Sequence, residues 1–217
     1  ECDVKLSSTP ARFATRSTPG AASDSIRPMR IAVVGSGGVG GYFGGRLAEA
    51  GADVTFLARG AHLEALRARG LRIVSPKGDV HLPRVQAAGD TREIGAVDVV
   101  LFAVKLYDTD TALAALSPLI GADTVVVPLQ NGVDSVAMVS DAVGRAHTGG
   151  GTCYVSAVIA EPGVIRHTAM DHLIFGELDG SRSPRLQALQ RACAAASFRS
   201  TLSADVTVDI WTKFVRL

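Results

Sequence analysis

The pattern of hydrophobic and polar positions changes abruptly at residue 30. Before it, residues 1–28 hold Ser, Thr, Ala, Pro and Arg with no apolar period, too little to offset the entropy of ordering, so a disordered leader is expected there. Its Arg and Ser content is similar to that of an organellar transit peptide, yet it lacks an amphipathic stripe, and an extension ahead of Met29 is the preferred reading. From Arg30 the apolar run Ile31-Ala32-Val33-Val34 predicts a buried strand. Val39, Phe43 and Leu47 then recur every fourth residue, which predicts a helix capped by Gly51, and Asp53 to Leu57 predicts a second strand.

Further along, residues 61 to 69 read as a helix and 71 to 87 as short strands around the Lys77-Gly78-Asp79 turn. Val97 to Val104 reads as a third buried strand, followed by a helix from Thr109 to Leu119, a strand from Thr124 to Leu129 and a helix from Ser135 to Ala142. Residues 147 to 175 are strand-rich and broken at Glu161-Pro162-Gly163, and two helices are expected at about 184 to 196 and 205 to 217. Strands alternating with helices at this spacing predict an α/β fold with a mostly parallel sheet covered on both faces. The expected division is a leader over 1–28, a nucleotide-binding domain over 29–204, and over 205–217 the first helix of a connection to something further.

Composition narrows the function classes. At 217 residues and 47% hydrophobic content the chain can build a sizeable core. The longest apolar run, Val97 to Leu106, is broken by Asp98 and Lys105 and is too short for a membrane helix. A formal charge of +1 with mixed signs gives no nucleic-acid footprint, so a small-molecule partner is expected. Cys2, Cys153 and Cys193 are an odd set without a CxxC pair, which fits a reducing, cytoplasmic setting. His62, His81, His147, His167 and His172 lack metal-ligand spacing, so no metal is expected.

The chemistry gathers at the ends of the predicted strands. Gly35-Ser36-Gly37-Gly38-Val39-Gly40 fits G-x-G-x-x-G between the first strand and the first helix. In that place Gly35 allows the tight turn, Gly37 lets a pyrophosphate approach the backbone, and Gly40 allows the helix to pack on the strand, a Rossmann-type doubly wound arrangement. Gly41, Gly44 and Gly45 extend the glycines into the helix at about 1 kcal/mol each, so something must approach it closely. Where NAD-binding folds place a carboxylate after the second strand, this chain has Ala58-Arg59, which favours the 2′-phosphate of NADP. His62 is expected to face solvent. Lys105, at the end of the third strand, is a candidate cofactor contact, and Leu129-Gln130-Asn131-Gly132 places a side-chain amide at the same rim. In the last helix Val206, Ile210, Phe214 and Leu217 form an apolar arc with Lys213 inside it. Either Asp209, four residues earlier, satisfies that ammonium, or the cation is aimed into a cleft to protonate an oxygen; spacing leaves both open.

The glycine turn, Ala58-Arg59, Val104-Lys105, Leu129-Gln130-Asn131-Gly132-Val133 and Trp211-Thr212-Lys213-Phe214, taken in order, resemble the ketopantoate reductase (2-dehydropantoate 2-reductase) family from Met29 to the C-terminus. The resemblance implies NADPH-dependent reduction of 2-dehydropantoate to pantoate, with Lys213 as general acid and Asn131 contacting nicotinamide and substrate. It further implies that Arg59 and Lys105 hold the adenosine side of NADP and that the Ala157 backbone touches the cofactor. Two features depart from it. Leu217 stands where the family usually carries a substrate-binding asparagine, which leaves a related 2-oxo acid or opine dehydrogenase, or a non-catalytic NADP(H)-binding module, as alternatives. The family's C-terminal all-helical domain, through which many dimer contacts run, is missing from the sequence, so a homodimer stays open and an interrupted chain is expected.

Overall fold

A computed structural model describes residues 28–217, and the leader expected over residues 1–28 lies, apart from Pro28, outside the described residues. The first sheet has five parallel strands: β1 (Arg30–Val34), β2 (Asp53–Leu57), β5 (Gln86–Ala88), β6 (Val97–Phe102) and β7 (Ile120–Pro128). Their spatial order is β5-β2-β1-β6-β7, so the chain winds outward from β1 in one direction and, after β5, resumes on the other side at β6. The point of reversal between β1 and β6 opens a crevice at the carboxyl ends of the strands.

Both faces of this sheet are buried, and the strand period divides the core in two. Ile31 and Val33 of β1 point with Val99, Leu101, Val125 and Val127 toward one cluster. Ala32 and Val34 point with Val100, Phe102 and Val126 toward another, closed by Leu116 and Leu119 and by helices α3 (Thr109–Ala114) and α4 (Ser135–Val143). The helix expected to run to Leu119 ends at Ala114, and a 3-10 turn, Ser117–Leu119, replaces its last part, because Pro118 has no N–H to continue the helical ladder.

A second sheet lies on the far side of helices α1 (Gly38–Glu49) and α5 (Pro184–Ala195). It runs β10-β9-β3-β4, with β8 also paired to β9: β3 (Leu71–Val74), β4 (Val80–Leu82), β8 (Gly149–Glu161), β9 (Val164–Glu177) and β10 (Arg199–Leu202). β8 and β9 form a long antiparallel hairpin around the Glu161-Pro162-Gly163 turn, where Gly163 has a positive φ. Helix α1 is therefore enclosed by two sheets, and its glycines sort by direction. A Cβ at Gly40 or Gly44 would lie 2.7 Å from Val33 of the first sheet, whereas one at Gly41 or Gly45 would lie 2.7–2.8 Å from Ile165 or Ile73 of the second. The close neighbour demanded by these helix-weakening residues is protein on both sides.

Helix α2 (Gly60–Arg69) follows β2, and helix α6 (Val206–Arg216) packs across β8 and β9. The apolar arc expected on α6 is corrected by the packing. Its buried stripe is Val206, Ile210 and Lys213, while Phe214 is 47% and Leu217 77% exposed. No helix among the described residues is long and apolar enough to cross a membrane.

Candidate active site

A cleft of about 570 Å³ opens at the carboxyl ends of β1, β2, β6 and β7, where a doubly wound sheet binds ligands. Its floor is the turn from β1 into α1. Gly35 sits at φ +96°, and a Cβ there would lie 2.6 Å from the backbone nitrogen of Val104, so only glycine lets the turn lie against the neighbouring strand's end. At Gly37 the position of a Cβ is open space. Gly37 is also the N-cap of α1, and neither a side-chain cap nor an acidic residue occupies the first turn. The helix thus presents backbone donors and its positive end to the cleft, the arrangement that receives a phosphate. The Ser36 hydroxyl donates to the Leu57 carbonyl at 2.8 Å and ties the turn to β2.

The residues singled out along the sequence converge here. Gly35, Ser36, Gly37, Gly38 and Val39 line the cleft with Arg59, Lys105, Asn131 and Ala157. Lys213 reaches the cleft only through Asn131, and Gly40 does not line it either. Gly40 lies beneath the floor, where a Cβ would meet the Gly35 carbonyl oxygen at 2.2 Å, and it contributes by packing. Ala157 reaches the cleft because β8 leans on the helix start: a Cβ at Gly38 would fall 2.0 Å from the Ala157 carbonyl oxygen. Arg59 and Lys105, both exposed, stand on the walls formed by the ends of β2 and β6, with Asp108 as a carboxylate on the rim.

Three features of the lining go beyond what the strand and helix pattern predicts. His62, expected to face solvent, is half-buried in the cleft wall and accepts the Gly163 N–H at Nδ1, 3.1 Å away. That bond leaves the proton on Nε2 in the neutral ring, and burial lowers the pKa, partly offset by the Ser36 backbone. Gln130 donates to the Val104 carbonyl (3.1 Å) and to the Thr109 hydroxyl (2.8 Å), clamping β7 to the segment after β6. Its Oε1 and the Nε2 of His62 are buried polar atoms without a partner. Leu106 and Tyr107 are exposed apolar side chains on the cleft's rim.

Lys213 sits behind Asn131, and its partner is the Asn131 amide and not Asp209. It is 7% exposed, and its Nζ donates to Asn131 Oδ1 at 2.8 Å across 82 residues of sequence. Asp209 is engaged elsewhere, accepting the Ser203 hydroxyl at 2.5 Å, and among the described residues no carboxylate pairs with Lys213. Burial holds the lysine below its ordinary pKa. The neighbouring Cys153 thiol is pushed up to about 11 by burial and is neutral at physiological pH. Because Asn131 also lines the cleft, one amide joins a buried ammonium to the space above the glycine turn.

Comparison with known proteins places this geometry. Residues 31–180 match the family model described as Ketopantoate reductase PanE/ApbA. An uncharacterized oxidoreductase, YkpB, of Bacillus subtilis is 38% identical over 189 residues, covering 86% of this chain and 61% of that protein. A 2-dehydropantoate 2-reductase of Mesorhizobium japonicum is 33% identical over 206 residues, covering 85% and 63%. The crystal structure of 2-dehydropantoate 2-reductase from Porphyromonas gingivalis W83 superposes with a TM-score of 0.81 at 35% identity, over 87% of this chain and 68% of that one. The chain thus spans somewhat over three fifths of the length of the two curated relatives. With the family model matching well over half of its residues, the chain belongs to the ketopantoate reductase PanE/ApbA family.

Proposed function

We propose that this chain is the nucleotide-binding part of an NADPH-dependent reductase of a small 2-oxo acid, with 2-dehydropantoate as substrate and pantoate as product. The observation that carries the reading is Lys213: a buried ammonium without a carboxylate partner among the described residues, bonded to an amide that also lines the cleft. A structural lysine in that position would be expected to hold a carboxylate, since an uncompensated buried charge is costly. The residues also fit a dinucleotide. Gly37 leaves open space at the helix start, and Arg59 stands where an NAD-specific site would carry a repelling carboxylate.

Bound NADPH supplies the hydride. The N-terminal amides of α1 bind the pyrophosphate, and the Arg59 guanidinium holds the 2′-phosphate, with Lys105 adding charge from the opposite wall. Asn131 orients both the nucleotide end and the Lys213 ammonium. Lys213 carries the proton at Nζ, stabilises negative charge at the substrate oxygen and delivers the proton to it. Burial lowers its pKa, which eases release of the proton.

Leu217 stands where the family usually carries an asparagine, and this favours, as a second reading, a related 2-oxo acid in place of 2-dehydropantoate. A substrate panel followed by NADPH absorbance tests both. Consumption with 2-dehydropantoate at the highest kcat/KM supports the first reading, and preference for another 2-oxo acid supports the second. Saturable NADPH binding without turnover of any 2-oxo acid, even when residues beyond Leu217 are supplied, would overturn both in favour of a binding module.

A further inference from the structure

The Lys213 ammonium has three N–H donors, and Asn131 accepts one. Its Nζ also lies 5.8 Å from the centroid of the Tyr154 ring on β8, within the range of an ammonium–aromatic attraction. The Tyr154 ring is itself held in place. Its cross-strand neighbour on β9 is His172, whose ring lies at a 26° interplanar angle with centroids 6.4 Å apart, and His172 Nε2 is bonded to the Thr201 hydroxyl at 2.8 Å.

We propose that Tyr154 is a positioning residue for Lys213: the face of its ring, backed by His172 and Thr201, holds the ammonium against Asn131 so that the proton stays aimed at the cleft. The proposal rests on the reading of Lys213 as the proton donor. Its physical logic lies in the choice of partners. A carboxylate would compensate the buried charge more fully, but it would also bind the proton more tightly and draw the lysine away from the oxygen it must meet. An amide oxygen and an aromatic quadrupole are neutral. Together they offset part of the lost hydration while leaving the proton transferable.

The other groups around Lys213 do not take over this task. On β8 the Cys153 thiol is neutral at physiological pH. On α6 itself Asp209 is bonded to Ser203. On β9 His172 is held below its ordinary pKa by burial and by Arg199 of β10, against smaller opposing effects of Asp171 and Asp209. The ring and the amide are thus the compensating partners on the elements packed against Lys213.

The sequence has only four lysines, at positions 5, 77, 105 and 213, so ε-13C-lysine labelling gives a spectrum in which Lys213 is assigned by its loss in Lys213→Arg. Titration of the chain reads the Lys213 midpoint without requiring turnover. Tyr154→Phe, which keeps the aromatic face, is expected to leave the midpoint in place. Tyr154→Leu is expected to lower it by roughly 0.5–1 pH unit, the size of a partly desolvated cation–ring interaction. The signals of Lys77 and Lys105 should be unmoved in both, and Tyr154→Met provides a second apolar replacement, unbranched, should the leucine variant fold poorly. A midpoint that stays put in the Leu and Met variants, or that falls as far in Tyr154→Phe, overturns the proposal. In the form of the protein that turns NADPH over, Tyr154→Leu should lower kcat severalfold with the KM for NADPH unchanged, and Tyr154→Phe should restore it. Full turnover by Lys213→Met would instead remove the functional reading and leave the titration to decide the role of the ring.

Discussion

The two ends of the cleft are built from different materials. At the glycine turn the chemistry is backbone: Gly35 bends at φ +96°, Gly37 leaves open space, and the start of α1 presents amides uncapped by any side chain. At the other end it is side chain: Asn131 from the end of β7 and Lys213 from α6 meet over 2.8 Å although 82 residues separate them. The first end is specified by local steric rules, and one short motif suffices to encode it. The second exists only when α6 packs across β8 and β9, so its encoding is spread over three elements. Binding and proton transfer should accordingly fail independently.

The widest separation is expected from Lys213→Met. Turnover should fall by about 10²–10⁴-fold, the contribution of a positioned proton donor, while NADPH affinity measured by fluorescence titration stays near that of the wild type. Loss of both together would mean that the two ends are coupled. Within the glycine turn the contrast is between packing and binding. Gly40→Ala places a methyl group 2.2 Å from the Gly35 carbonyl oxygen and should destabilise the fold by about 1–3 kcal/mol in urea denaturation. Gly37→Ala meets no protein atom within 4 Å, and stability should change by less than about 0.5 kcal/mol. NADPH binding should nevertheless weaken if the pyrophosphate approaches Gly37 as proposed, because the new methyl would stand in its way.

The smallest effect concerns pH. As the proposed acid, Lys213 would work only while protonated, and burial lowers its pKa, so kcat/KM should decline on the alkaline side at a pH below the ordinary lysine range. The decline should disappear in Lys213→Met, whose residual rate lacks that ionisation. A limb centred at or above the ordinary lysine value would contradict the buried setting, without a carboxylate partner among the described residues.

Which parts were legible in the sequence follows the same division. β1, the glycine turn, α1 and β2 are contiguous and show clear periods, and the residues that form the cleft floor were found from spacing alone. Arg59 and Lys105 were legible because strand ends follow immediately from strand runs. The second sheet was not separable from the first. β3 pairs in parallel with β9 some ninety residues later, and β10, Arg199–Leu202, is a short polar run whose strand character comes from its pairing to β9. His62 was placed in solvent because a helix beginning at Gly60 gives no sign that Gly163 will close over its ring. On α6 periodicity located the lysine on the apolar side but took Phe214 into the buried stripe, which the packing on β8 and β9 leaves partly exposed. Tyr154 carried no signal, since its relation to Lys213 depends on a helix docking onto a strand.

The account depends most on the cleft taking a dinucleotide with an additional phosphate on its adenosine ribose. The most direct test is titration of the chain with NADPH and with NADH, in the wild type and in Arg59→Ala. Saturable binding that is tighter for NADPH, by about tenfold or more, and a preference largely abolished in Arg59→Ala is the expected result, as for a charge-assisted contact to one phosphate. No saturable binding of either nucleotide, or tighter binding of NADH by the wild type, would contradict it.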